Sequence, residues 1–205
     1  MTRTIYFTLA LLMFSLLFAS CDEEEDQPEV TPEPTVHIHD TPASVGDYRN
    51  GGIAFWVNSS DSTKGLVVAI SDLLQSAQWG CYGEKVNGAN NTNLTGGALN
   101  TKEILHKCKS LNIAADLCDE AVDHGYKDWY LANTGEWAEL LTNLDMVETA
   151  AVAHGGRKFY DKYWTSNQPS GKVGETLALA LDIRNNRLTQ ERKDGRFSVR
   201  AIRAF

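Results

Sequence analysis

The amino-acid sequence predicts an α+β domain in which two main helices pack on short antiparallel strands. Short apolar runs bounded by Gly, Asn and Asp occur at both ends of the region 43–205, as expected for β-strands. Two helix starts lie between these runs, so the strands flank the helices and do not alternate with them. A hydrophobic content of 42% is sufficient for a core, and the length fits one globular domain.

The first predicted element is a β-hairpin. Its strands are Ile53–Val57 and Gly65–Ile70, two apolar runs joined by a polar turn. The stretch from Gly80 to Gly97 is rich in Gly and Asn, which predicts a long surface loop. Its length and polarity fit a plain loop as well as a binding loop.

The first predicted helix starts at Asn100, which is placed as an N-cap with Glu103 at position N3. Apolar residues recur at helical spacing after this start and again after an interruption near Asn112. Gly125 is the predicted C-cap, because glycine ends helices in the left-handed conformation.

The second predicted helix starts at Asn133, with Glu136 at N3 in the same capping pattern. An apolar stripe at i, i+3, i+4 and i+7 follows and predicts a core-facing surface: Trp137, Leu140, Leu141 and Leu144. A short aromatic strand is predicted before this helix, at Asp128–Leu131. Three strands are predicted after it: Tyr163-Trp164, Thr176–Ile183 and Phe197–Phe205.

The first twenty residues have the layout of an export signal. Arg3 is followed by the apolar run Ile5–Phe18, and small residues precede Cys21. The run is shorter than the roughly 20 residues of a membrane-spanning helix. The pattern resembles a bacterial lipobox, so residues 1–20 are predicted to be a lipoprotein signal peptide. The Cys21 thiol is then acylated, with palmitate or a similar chain anchoring the protein to the lipid bilayer. The alternative is an ordinary signal peptide in which Cys21 is incidental.

Residues 21–42 are predicted to form an acidic, proline-containing tether. The formal charge of the chain is −8, and residues 1–40 hold one arginine and eight acidic residues. Residues 41–205 therefore hold 18 basic and 19 acidic residues, which gives no basic footprint for nucleic-acid binding. Acidic residues directly after the acylated cysteine resemble the surface-export signal of Bacteroidetes lipoproteins. This predicts an outer-membrane lipid anchor exposed at the cell surface, with the inner leaflet as the alternative.

Five sequence motifs occur in the order found in one bacterial family. They are Gly51-Gly52-Ile53-Ala54-Phe55, Trp79-Gly80, Gly125–Leu131, Tyr163-Trp164-Thr165-Ser166 and Val199–Phe205. Together they resemble the Lcl C-terminal (collagen-like-protein C-terminal) domain family over nearly all of residues 50–205. The chain departs from the family pattern at Ala132-Asn133, where Pro-Ser is usual. The resemblance implies a fold like those of C-type lectins and sulfatase-modifying factors. It also implies a binding role at the cell surface, with glycans among the ligand types and no established catalysis.

Three cysteines remain once Cys21 is acylated. Cys81–Cys108 is the favoured disulfide, because export permits disulfides and a bond between Cys108 and Cys118 needs a sharp bend between two helical segments. Cys118 is then a small buried apolar residue. The alternative is a domain without a disulfide.

One candidate ligand site follows the predicted strand at Tyr163-Trp164. Trp164 is a candidate for stacking on a sugar, with Asn167 and Gln168 binding its hydroxyl groups. A plain turn explains the same residues.

A second candidate site is the arginine-rich segment 184–203. Clustered guanidinium groups suit recognition of sulfate or carboxylate groups, so an anionic glycan is the predicted ligand class. The candidate residues are Arg192, Lys193 and Arg196. The alternative is that the arginines decorate a hairpin and that Arg200 or Arg203 is paired inside the fold.

These observations favour a binding protein over an enzyme. No phosphate-binding glycine motif, nucleophile elbow or zinc-protease helix occurs, so no catalytic residue, metal or cofactor is predicted. His37 and His39 lie in the tether and suit adventitious metal binding only. The first hypothesis is a cell-surface lipoprotein that binds a glycan or another extracellular polymer for adhesion or capture. The second is a structural module that contacts envelope proteins and binds no small ligand.

Overall fold

The computed structural model describes residues 41–205. The predicted signal peptide, Cys21 and the tether up to residue 40, with His37 and His39, lie outside the described residues. The first strands of the described region are β1 (Tyr48–Arg49), β2 (Gly52–Val57), β3 (Gly65–Ala69), β4 (Leu74–Ala77) and β5 (Tyr130–Leu131). The later strands are β6 (Lys162–Trp164), β7 (Leu177–Asp182), β8 (Arg187–Arg192), β9 (Phe197–Val199) and β10 (Ala201–Ala204). The helices are α1 (Gly97–Lys107), α2 (Ala114–Asp119), α3 (Thr134–Thr142) and α4 (Leu144–Ala153), with a 3-10 turn at Gly171–Glu175.

The strands of the described region form two five-stranded sheets. The first has the order β1-β2-β3-β10-β5, and the second has the order β4-β9-β6-β7-β8. All pairings are antiparallel except β6 with β9, where Tyr163 faces Ser198 in parallel register. The predicted α+β class is confirmed, and so is the hairpin of β2 and β3, in which Ile53 pairs with Val68.

Both faces of the first sheet are buried. Ala54 and Val67 belong to one hydrophobic cluster, whereas their neighbours Ile53 and Val68 belong to another. Successive residues of a strand point to opposite faces, so the sheet separates the two clusters. Helices α1 and α2 contribute residues to the first cluster, and α3 and α4 to the second. This double burial explains why the strands are continuous apolar runs in the sequence.

The described region contains four helices where two were predicted, and the predicted start and end of the first are wrong. The N-cap of α1 is Gly96, four residues before the predicted Asn100, and Asn100 lies inside the helix. The Asn100 side chain is held by the backbone of Asn91, from which it accepts a hydrogen bond (3.0 Å) and to which it donates one (2.8 Å). Helix α2 ends at Asp119, and Gly125 lies in a later turn with φ of +84°.

The predicted start of α3 is confirmed. Asn133 accepts a hydrogen bond from the Glu136 amide, and the Glu136 carboxylate accepts one from the Asn133 amide, which completes a capping box. Trp137 and Leu140 are buried as expected. The helix ends at Thr142, however, so Leu144 opens α4 and does not extend the stripe of α3.

Candidate functional site

A polar cleft of about 580 Å³ opens between the segment that follows β4 and the C-terminal end of α1. One wall is Gly80–Glu84 and the other is Lys107–Ser110, while Gln78, Lys193 and Asp194 complete the lining. A disulfide joins Cys81 in the first wall to Cys108 in the second, with their Cα atoms 5.3 Å apart. We call this site the disulfide cleft. The bonded pair is the one favoured by the sequence, and Cys118 is a buried free thiol.

The first wall depends on residues in the left-handed backbone conformation. Gly80 has φ of +98° and Cys81 has φ of +51°. A Cβ at residue 80 would lie 2.8 Å from the Ile113 side chain, so only glycine fits there. The chain therefore turns sharply after Trp79 and presents residues 81–84 toward the end of α1.

The charged groups of the cleft are mostly paired. Lys107 contacts the Glu84 carboxylate at 2.5 Å, and this hydrogen bond lowers the pKa of Glu84. Arg192 binds Asp194 through two hydrogen bonds of 2.9 and 2.7 Å, which lower the pKa of Asp194. Lys109 contacts the Leu105 carbonyl at 3.4 Å and has no carboxylate partner within residues 41–205. Lys109 is thus the cleft cation most available to an anionic ligand.

Lys193 is a buried structural cation. Its ammonium donates to the Glu84 carbonyl at 2.8 Å and to the Gln168 side-chain oxygen at 2.9 Å, and it lies 4.4 Å from the ring centroid of Trp79. Burial lowers the pKa of Lys193 to about 8. Its hydrogen bond to the Glu84 carbonyl connects the base of the cleft to the first wall.

Tyr82 supplies an aromatic surface at the cleft. The residue is 46% exposed, and the Arg192 guanidinium lies 4.8 Å from the centre of its ring. Tyr82 is thus an exposed aromatic surface among the residues that line the cleft, with one cation against its ring.

The predicted stacking role of Trp164 is wrong. Trp164 is fully buried, its indole nitrogen donates to the Ala77 carbonyl at 2.8 Å, and its ring packs edge-on against Phe197. Because Trp164 belongs to the core of the second sheet, no ligand can reach its faces.

Asn167 and Gln168 are buried residues that hold loops in place. The Asn167 side chain accepts from the Thr134 amide at 2.8 Å and donates to the Asn91 carbonyl at 3.0 Å. The Gln168 side chain donates to the Val86 carbonyl, accepts from the Val86 amide and accepts from Lys193. Gln168 also lines a smaller cavity of about 240 Å³ with Lys85 and Ser170. Neither amide is free to bind sugar hydroxyl groups as predicted.

The arginine-rich segment is divided between surface and core. Arg192 and Lys193 lie at the disulfide cleft, whereas Arg196 is exposed elsewhere and donates to the Ser76 carbonyl at 3.1 Å. Arg200 and Arg203 are buried and paired with Asp72 and Asp128, respectively. The segment is therefore no single anion-binding patch.

Sequence reasoning missed Tyr82, Lys107 and Lys109 as site residues. The signal that locates them is the disulfide itself, because a bond between residues 81 and 108 necessarily brings residues 82–84 next to residues 107–109.

Two further features concern metals and membranes. Within residues 41–205, no group of three or more His, Cys, Asp or Glu side chains is arranged to hold a metal ion. None of the helices in this part of the chain combines the length and apolar character needed to cross a bilayer.

No protein-family model matches the chain, and no curated protein sequence matches it. The resemblance to the Lcl C-terminal domain family therefore rests on the five motifs quoted above.

Proposed function

We propose that residues 43–205 form a non-catalytic binding domain that recognises an anionic glycan, or another anionic extracellular polymer, in the disulfide cleft. The observation that carries this proposal is that two complementary groups line one polar cleft. They are the exposed aromatic ring of Tyr82 and the ammonium group of Lys109, which has no carboxylate partner in the described region. The volume of about 580 Å³ lies within the range of small-ligand sites.

Each group in the cleft has a role suited to a sugar acid. The Tyr82 ring packs against the C–H face of a sugar, as aromatic rings do with flat amphipathic groups. Lys109 pairs with a carboxylate or sulfate, and the ion pair of Lys107 with Glu84 offers both donors and acceptors to hydroxyl groups. The cleft is open at its surface, so one unit of a longer polymer can enter it.

We also propose that the chain is a lipoprotein anchored through acylated Cys21 at the outer membrane and exposed at the cell surface. The signal layout and the acidic tether of the sequence support this placement. Membership of the Lcl C-terminal domain family, with its lectin-like fold, belongs to the same proposal. Two of the family-like motifs are adjacent strands, since Tyr130 of β5 pairs with Ile202 of β10.

Binding of heparin, a sulfated uronic-acid polymer, to the full-length protein tests the proposal. We expect binding that weakens as the salt concentration rises from about 0.05 M to about 0.3 M, because exposed charge pairs are screened over that range. Tyr82→Ala and Lys109→Ala should each weaken binding by about tenfold. Affinity is measured by isothermal titration calorimetry.

The chain offers matched controls for both substitutions. Tyr160 is 73% exposed and carries the Arg184 guanidinium 4.4 Å from its ring centre, as Tyr82 carries Arg192, but Tyr160 does not line the cleft. Tyr160→Ala and Lys172→Ala should leave affinity unchanged. Equal losses at the control and cleft positions would contradict the cleft as the site. If the folded protein does not bind heparin, the result would favour the alternative function, an envelope module that contacts other proteins.

A further inference from the structure

The disulfide is part of the lining of the cleft and connects its two walls. Cys81 belongs to the first wall, and Cys108, which follows directly after α1, belongs to the second. Both cysteines line the cleft, and Cys81 is only half-buried. A small thiol in the cleft can therefore reach the bond.

In the first wall, the disulfide restrains the residue whose backbone conformation is least favourable. Cys81 has φ of +51°, a value that residues with a Cβ disfavour, and it lies between Gly80 and Gly83, whose φ values are +98° and +92°. Loss of the bond to Cys108 removes a covalent restraint from the residue with the least favourable backbone. The exposed ring of Tyr82 lies next to it in the chain and moves with it.

The part of the second wall that follows Cys108 makes few backbone hydrogen bonds. The backbone amides of residues 109–111 donate no hydrogen bond within the described part of the chain. The next anchored amides are those of Asn112, which donates to the Asp116 carboxylate at 2.6 Å, and Ala114, which donates to the Gln78 carbonyl at 2.8 Å. Lys109 is therefore positioned mainly by its neighbour in the disulfide.

We infer that the redox state of the Cys81–Cys108 disulfide controls the ligand affinity of the cleft, with the oxidised form competent and the reduced form open. The inference rests on the proposed function. A dithiol reductant supplies both electrons and both protons: its two S–H groups become a disulfide, the Cys81–Cys108 bond breaks, and two cysteine thiols form through a mixed-disulfide intermediate. Cys118 takes no part in this exchange, because its thiol is fully buried.

The inference is tested in a variant that carries both Cys21→Ala and Cys118→Ala. Because the chain has four cysteines, this variant keeps only the disulfide-bonded pair. We expect heparin to bind the oxidised full-length protein at least about tenfold more tightly than the dithiothreitol-reduced protein, with recovery on reoxidation. Thiol counting verifies two free thiols in the reduced form. Near-ultraviolet circular dichroism verifies that the core tryptophans stay packed.

Amide hydrogen exchange without ligand provides a second, independent reading. Reduction should remove protection from residues 80–85 and 108–114 while β2 and β3 keep theirs. Global loss of protection would overturn the inference, because the bond would then support the whole fold and not the cleft. Equal heparin affinity of the two forms would overturn the inference and leave the proposed function standing. Absence of binding by the oxidised form would overturn both.

Discussion

At the scale of single residues, the C-terminal arginines show how burial decides the role of a charge. Arg200 is fully buried; it donates to the Asp72 carboxylate at 2.7 Å and to the Arg157 carbonyl at 2.9 Å, and its guanidinium lies 3.9 Å from the ring centre of Phe159. Its partner Asp72 has a side chain only 10% exposed. Arg203 also forms an ion pair, but the side chain of its partner Asp128 is 61% exposed. The two pairs therefore contribute differently to stability.

Removing each carboxylate should separate the two cases. Asp72→Ala leaves a buried guanidinium without its counter-charge and should lower the free energy of unfolding by about 3 kcal/mol. Water reaches the Asp128 carboxylate, so in Asp128→Ala water can take its place beside the Arg203 guanidinium, and the change should cost at most about 1 kcal/mol. Urea denaturation of both variants measures the losses. Equal losses would show that burial of the pair is not what determines its contribution.

At the scale of secondary structure, one carboxylate connects three elements. Glu136 of α3 is fully buried and accepts hydrogen bonds from the Asn133 amide at 2.7 Å, the Gly97 amide at 3.2 Å and the Tyr130 hydroxyl at 3.2 Å. It thus caps its own helix, caps the first turn of α1 and holds β5. Burial is the main influence on this group and raises the pKa of Glu136 to about 7, while the hydrogen bonds act in the opposite direction.

This raised pKa makes a specific contribution to the pH dependence of stability. The folded form holds the Glu136 proton more tightly than the unfolded chain, so the contribution is full below about pH 4.5 and is lost as pH rises through about 7. Between pH 4 and pH 8, the free energy of unfolding of wild type should fall relative to Glu136→Gln by about 3 kcal/mol. Denaturant titrations across this range measure it. A difference between the two proteins that stays constant with pH would refute the assignment.

At the scale of the whole molecule, the features that the sequence predicts correctly are those that residues close together in the chain determine. The β2–β3 hairpin and the capping box at Asn133 are short-range features, and both are confirmed. The start of α1 is not a local feature, because the Glu136 carboxylate of another helix accepts a hydrogen bond from its first amide. The Asn100 side chain, in turn, accepts a hydrogen bond from the Asn91 amide and does not cap the helix. The burial of Trp164 depends on how the second sheet folds over the core, which strand periodicity cannot reveal.

The sequence likewise predicts some residues of the candidate site and misses others. The favoured disulfide locates the cleft, and of the candidate residues in the arginine-rich segment only Lys193 lines it, with Arg192 against the ring of Tyr82. Tyr82 has no motif of its own in the Gly-rich loop, so its place in the site follows only from the Cys81–Cys108 bond next to it. Only the approach of that loop to the end of α1 makes Tyr82 part of a site.

Recognition of a polyanion in the disulfide cleft is tested most directly by lysine acetylation footprinting of the full-length protein with and without heparin. Bound polymer should protect Lys107 and Lys109, whose side chains line the cleft, and leave the exposed Lys127 and Lys172 as reactive as before. Protection confined to the two cleft lysines is the predicted result. Protection of Lys127 and Lys172 to the same extent, or protection elsewhere with the cleft lysines unchanged, would contradict the proposed site.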